Sequence, residues 1–190
     1  MNQLHKPVSI IFSAPLIAAY VTVIFSILSP IGLGSMNLLT SILLGILFLT
    51  ILPVMTLYTK SKSFAGWDLF DRKKRNAPYV ICITSYVIVS IIFWFFGNHI
   101  MFLISLSYVT VTTTCFLINL FWKISAHTAG MAGPVTALIY VFGFSLASLY
   151  LLLVPLAYSR YKLGSHDRTQ LVAGALVAIF ITYLTYFMLW

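Results

Sequence analysis

Two short polar stretches pair a histidine with groups that bind anions. Ser159-Arg160 is followed by His166, and Ser125 lies two residues before His127. A third stretch, Asp71-Arg72-Lys73-Lys74-Arg75-Asn76-Ala77-Pro78, is rich in cations. Guanidinium forks match phosphate oxygens two at a time. A hydroxyl and free backbone N–H groups at a helix start hold an anion. One imidazole can attack phosphorus while a second protonates the leaving oxygen. Together these groups suit the handling of a phosphoryl group. They stand out because polar chemistry is scarce: 61% of the 190 residues are hydrophobic and 7% are charged. The chain has no glutamate, and its only carboxylates are Asp68, Asp71 and Asp167. An ionisable residue retained beside a membrane is a functional candidate by default.

The elements that must position these residues are apolar runs at 8–29, 37–58, 79–97, 100–121, 129–142, 145–158 and 170–189. Most approach the ~20 residues a helix needs to cross a ~30 Å hydrocarbon core. None alternates with period two, which argues against a transmembrane barrel. The expected fold is all-α: a polytopic transmembrane bundle of six to seven helices forming a single membrane domain over residues 1–190. The first run has no small-residue cleavage site after it, so it reads as a span and not a signal peptide. If the runs form hairpins, all 11 lysines and arginines fall on the face that holds the N-terminus. The opposite face carries only the short turns 30–36, 97–99 and 143–145. The runs 129–142 and 145–158 are the difficulty. As α-helices of 14 residues each they would reach only ~21 Å. Two crossings that turn at Gly143 and extend into their polar flanks are preferred to one long crossing.

The remaining residues have plainer readings. Cys82 and Cys115 lie inside apolar runs and read as small buried hydrophobes. His5 and His99 read as interfacial polar residues. No histidine has ligand-spaced companions, so no metal is expected. Lys73 and Lys74 fit a positive-inside signal. Asp68 and Asp71 precede Arg72 and Arg75 by four residues, a spacing for helical ion pairs. Phe64, Trp67, Phe70 and Trp122 fit an interfacial aromatic belt. Ala129, Gly130, Ala132 and Gly133 permit close helix approach.

The polar stretches resemble the type 2 phosphatidic acid phosphatases, membrane lipid phosphatases related to vanadium haloperoxidases. That family's third motif is S-R, five residues, H, three residues, D. Here it reads Ser159-Arg160, then His166, then Gln170 in place of the aspartate. The second motif, P-S-G-H, is matched by Ile124-Ser125-Ala126-His127. The first, K, six residues, R-P, is matched loosely by Arg75 and Pro78, with Asp68 at the lysine position. The resemblance covers about 68–180 and implies a catalytic core there. It implies His166 as a nucleophile that forms a phosphohistidine and His127 as the acid for the leaving group. It implies Arg72, Arg75, Ser125 and Arg160 as phosphate ligands, and Gln170 as the residue that orients His166. It implies no metal and no organic cofactor.

The expectation is a membrane phosphatase acting on a lipid phosphate, such as phosphatidic acid, or on an isoprenoid or polyprenyl diphosphate. Its partners would be that lipid and the bilayer, not nucleic acid, and its site would face the cytoplasm. The alternative is a catalytically degraded relative that serves as a lipid-binding or structural membrane protein. Gln170, Ile124 and Ala126 are the departures that favour it.

Overall fold

The structure, a computed structural model, describes residues 5–61 and 71–190. The described residues are helical throughout and contain no strand. The first apolar run is split into α1 (His5–Ile11) and α2 (Ala14–Leu28). Ser13 between them is extended, and Pro15, which lacks an N–H, sits in the first turn of α2. The second run is one continuous rod: α3 (Leu38–Gly45), a π-helical stretch Ile46–Ile51, and α4 (Leu52–Ser61). The wide turns stand just before Pro53, whose missing N–H and bulky ring would otherwise break the α-helical ladder. Thr50 in this stretch donates its hydroxyl to the Pro15 carbonyl at 3.0 Å.

A short 3-10 turn, Lys73–Arg75, leads into α5 (Asn76–Phe95), and α6 (His99–Phe121) returns beside it. Then come α7 (Ala126–Phe142), a 3-10 stretch Phe144–Leu152, α8 (Leu153–Lys162) and α9 (Arg168–Leu189). Gly143 joins α7 to the 3-10 stretch at φ 101°, a conformation open to glycine and costly for other residues.

Four helices are long and apolar enough to cross a membrane: Leu38–Thr59, Lys73–Phe95, His99–Phe121 and Arg168–Leu189. Half of the apolar window in α6 is buried, against 28% in α9, and ten of the 17 residues of α7 are buried, so α6 and α7 form the centre of the bundle. Large apolar side chains such as Phe95, Phe121, Leu151, Phe180 and Phe187 point outward. An exposed apolar surface of this extent suits a lipid environment.

The core lies at the end of the bundle away from the polar stretches. Phe25, Phe93, Ile100, Met101 and Leu103 are fully enclosed there. Buried hydroxyls and amides pair among themselves: Ser26 with Ser41 at 2.9 Å, Asn98 Nδ2 with Ser41 Oγ at 3.0 Å, and Ser90 with Ser105 at 2.9 Å. The turns at that end are tied together. Ser35 donates both its N–H and its hydroxyl to the Phe96 carbonyl, and the His99 ring lies 3.1 Å from the Leu189 carbonyl. The expectation that His99 is a boundary residue agrees with this position.

Small residues do allow close approach, as the sequence indicates. A Cβ at Gly130 would lie 2.2 Å from the Ala14 Cβ. The less yielding case, because it meets backbone, is Gly174, on which the sequence reading was silent. A Cβ there would meet the Ser125 carbonyl oxygen at 2.5 Å and the Thr128 hydroxyl at 2.6 Å. The backbone of α7 cannot yield as a flexible side chain would. Gly174→Ala is therefore expected to destabilise the protein by about 1–3 kcal/mol. Val172→Ala on the exposed face should change stability by less than about 0.5 kcal/mol. Thermal unfolding in detergent compares the two; equal melting temperatures would show that the approach is not constrained.

Candidate phosphoryl-binding site

The polar stretches converge at one end of the bundle, where the N-termini of α5, α7 and α9 meet the C-terminus of α8. Two helix starts are clasped backbone to backbone. Ser125 N–H donates to the Gln170 carbonyl at 3.3 Å, and the Thr128 hydroxyl donates to the Leu171 carbonyl at 2.8 Å. This clasp sets the His127 turn beside the His166 loop. Arg75 reaches in from the start of α5 and donates to the Ile124 carbonyl at 3.2 Å. Arg75, His127 and His166 line the same cavity, which has a volume of about 140 Å³.

His166 is 5% exposed, and its Nδ1 lies 2.9 Å from Gln170 Oε1. An amide oxygen can only accept, so this contact places the ring proton on Nδ1 and leaves Nε2 with its lone pair. The pair is four residues apart, and Asp167 caps the helix that holds Gln170. Its carboxylate accepts the Gln170 N–H at 2.8 Å and the Thr169 hydroxyl at 2.6 Å. Those two bonds hold the Asp167 carboxyl below the usual carboxylate range, the Thr169 bond first.

The site is electropositive. Burial pushes the His166 imidazole down to about 3; the Arg75, Lys123 and Arg160 charges push the same way, and the Gln170 hydrogen bond only partly opposes them. The ring is therefore neutral at physiological pH. Lys123, which the sequence reading did not place among the site residues, donates Nζ to the Ser165 carbonyl at 2.6 Å. Burial and then the Arg75 charge lower its ammonium. The clue was its place two residues before Ser125.

Other expected phosphate ligands have different immediate partners. Arg72 donates to the Asn119 carbonyl at 3.0 Å and to the Leu120 carbonyl, so it sits on the C-terminal carbonyls of α6. A cation there satisfies carbonyls that have no partner in their own helix. Asn119, fully buried and not anticipated, returns a bond to the Arg72 carbonyl at 3.2 Å. Ser125 is also fully buried, and its hydroxyl accepts the Thr128 N–H at 3.3 Å as the N-cap of α7. Neither Arg72 nor Ser125 lies on the cavity wall. Arg160 is 2% exposed and donates to the Ser9 hydroxyl at 2.9 Å, while its charge still reaches His166.

The helical ion pair expected of Asp71 with Arg75 needs an α-helix, and the pair expected of Asp68 lies outside the described residues. Residues 71–75 form a bend and a 3-10 turn instead, and Asp71 accepts the Lys73 N–H at 3.0 Å. Asp68, Phe64, Trp67 and Phe70 lie outside the described residues, as does the His5 side chain. Cys82 and Cys115 are free thiols. Among the described residues no group of three or more His, Cys, Asp or Glu is arranged to hold a metal.

No protein-family model matches this chain, and no curated protein or solved structure matches it.

The state of His166 can be read by NMR titration of the imidazole. The ring should stay neutral down to about pH 4, since its value is near 3. Gln170→Asp should move the titration upward by at least about one unit, because a carboxylate favours the charged imidazolium. Gln170→Leu should move it down or leave it low. An unchanged titration in Gln170→Asp would mean that the 2.9 Å contact does not exist in solution.

Proposed function

We propose that the chain is an integral membrane phosphatase that hydrolyses a lipid phosphate or diphosphate through a phosphohistidine on His166. The observation that carries this reading is the meeting of Arg75, His127 and His166 on one cavity wall, with His166 held through Nδ1 by Gln170. The resemblance to the type 2 phosphatidic acid phosphatases supports the same roles.

In the first step the neutral Nε2 of His166 attacks phosphorus. The bond from phosphorus to the leaving oxygen breaks, and His127, which takes up a proton once the phosphate's negative charge offsets the surrounding cations, passes that proton to the leaving oxygen. Arg75, on the cavity wall, faces the charge that builds on the phosphoryl oxygens, and Arg160 and Lys123 add positive charge from behind the wall. In the second step water attacks the phosphohistidine, His127 takes its proton, and phosphate leaves His166 neutral again. Arg72 and Ser125 act by position in this scheme: one fixes α5 against α6, the other starts α7 so that His127 faces the cavity. Gln170 orients His166 without supplying a negative charge. The positive charge that His166 acquires when phosphorylated is offset by the phosphoryl group itself.

The architecture fits seven passages of the chain through the bilayer. Measured as α-helix, the run after Gly143 is too short to cross. Together with α8 the segment 144–162 would reach ~28 Å as α-helix; with Phe144–Leu152 as a 3-10 stretch rising ~2.0 Å per residue it extends ~33 Å, enough for a ~30 Å core. The lysines and arginines of the described residues then gather at the site end, which the positive-inside rule places in the cytoplasm.

The enzyme reading is tested with purified protein in detergent and EDTA, supplied with lipid phosphates and isoprenoid diphosphates. Wild type should release phosphate and be inhibited by orthovanadate. His166→Ala should lose at least about a thousandfold in rate. His127→Ala should lose about a hundredfold to ten-thousandfold and recover in part on substrates with good leaving groups. Phosphate release that persists in His166→Ala would end the phosphohistidine scheme. A wild type inert on every substrate would favour the non-enzymatic relative.

Sidedness is tested separately. In intact cells a membrane-impermeant maleimide should label Ile31→Cys and should label Lys162→Cys only after permeabilisation. Both positions are exposed. The reverse pattern would place the site outside.

A further inference from the structure

The cavity that begins at Arg75, His127 and His166 does not stop at the polar groups. It continues inward between α5, α6 and α7 and is lined along its length by Cys82, Val111 and Cys115, with Tyr86 and Tyr108 near its deep end and Ile104 one turn beyond Tyr108. Arg75 and Tyr86 are eleven residues apart along α5, which sets a depth of ~16 Å, about half of a ~30 Å hydrocarbon core. The rings of Tyr86 and Tyr108 pack at a centroid distance of 5.3 Å. Beyond them Val89, Phe93, Met101 and Leu103 are fully buried, so the slot ends against filled core.

We infer that this slot seats one hydrocarbon chain of the substrate inside the bundle, and that Tyr86 and Tyr108 form the floor that sets chain length. The inference rests on the phosphatase reading for the identity of the headgroup, and on the cavity alone for the chain. A cavity of about 150 Å³ holds a benzene ring, so the 140 Å³ here has room for on the order of six to ten carbon atoms. That is one chain and not two. The substrate class is therefore the phosphate or diphosphate ester of a single-chain alcohol, alkyl or prenyl. Any carbons beyond the floor must leave the bundle, where they gain nothing from the slot. A two-chain lipid would have to leave one chain outside.

The hydroxyl end of the floor also has a purpose. Tyr108 Oη and, higher on the wall, Tyr79 Oη and Thr182 Oγ1 are buried without a hydrogen-bond partner within the protein. Unpaired hydroxyls are costly in a dry pocket. Water in the empty slot would satisfy them and a hydrocarbon chain would not, so they mark a wall not sealed by protein packing, and the case for the chain rests on the apolar lining.

The test uses n-alkyl phosphates of graded length as substrates and the matching n-alkylphosphonates, which cannot be hydrolysed, as ligands. Wild type and variants are compared at each length, so partition of the chain into detergent cancels. In wild type kcat/KM should rise with length until the slot is full and then level. Tyr108→Ala deepens the slot, and its preference for long over short chains should rise at least about tenfold relative to wild type, the worth of two buried methylenes. Ser107→Leu, which intrudes on the wall, should shift the preference the other way by a similar factor. The same opposite shifts should appear in the phosphonate-induced rise in melting temperature. Ligand-free melting shows whether each variant is folded. If hydrolysis proceeds with one chain-length profile in wild type and both folded variants, the slot inference is overturned. If phosphonate stabilisation follows the predicted shifts and no phosphate is released from any substrate, the slot stands and the phosphatase reading falls. A diacyl lipid phosphate preferred over every single-chain one would also overturn the inference.

Discussion

The clasp between the start of α7 and the start of α9 is the constraint on which the site depends. It consists of the Ser125 N–H on the Gln170 carbonyl and the Thr128 hydroxyl on the Leu171 carbonyl. Gly174 stands where any side chain would strike the Ser125 carbonyl. Both acceptors are backbone carbonyls and one donor is a backbone N–H, so the relative position of the two helices depends on only one side-chain rotamer, that of Thr128. His127 is the second residue of α7, and His166 lies two residues before α9. Their separation is thus fixed by the same carbonyls. Catalysis that divides work between two imidazoles needs such a fixed separation, since small displacements are costly in rate. Sequence distance between the histidines matters little once the helix starts are locked.

A second constraint is electrostatic. Arg75 and Arg160 are buried, Lys123 is close by, and the chain carries a formal charge of +8. Buried cations are costly without compensation. His166 registers the excess, since its imidazole is held far below its ordinary value. The phosphoryl group of the proposed substrate would be drawn to this positive end of the bundle. Viewed this way, glutamine at position 170 is consistent with the rest of the site. The surrounding cations keep His166 neutral, and a neutral imidazole needs a hydrogen-bond acceptor to set its tautomer more than it needs a counter-charge.

Much of this was legible in the sequence because it depends on residue type and short spacing. The His166–Gln170 contact was expected from a shared helical face; the contact forms, but His166 lies two residues before α9, across the Asp167 cap. The turn at Gly143 and the gathering of basic residues at one end follow from where apolar runs stop. What was not legible depends on which carbonyl lies nearby. Arg72 and Arg75 look alike in a basic stretch, yet one reaches the end of α6 and the other the loop before α7. Three residues of separation across a bend and a 3-10 turn send them to different partners. Ser125 likewise reads as a phosphate ligand until its helix is seen to begin at the next residue, which makes it a cap. Gly174 gave no signal, because a glycine in a membrane-like run is ordinary and its meaning lies in α7.

The run after Gly143 shows why counting residues is a poor ruler. Fourteen apolar residues imply a short α-helix, but the chain spends nine residues, Phe144–Leu152, as a 3-10 helix. Each residue then advances about a third further, since rise goes from ~1.5 to ~2.0 Å. The thinner helix also buries less: none of those nine residues is fully enclosed. Length is gained at the expense of packing, on a helix that faces outward and has little core to fill. The gain is what delivers α8, and with it Ser159 and Arg160, to the end of the bundle where α1 offers the Ser9 hydroxyl. An ordinary α-helix over the same residues would leave Arg160 ~5 Å short of that level, below the histidines it is meant to serve. The uncommon secondary structure is therefore part of how the site is assembled.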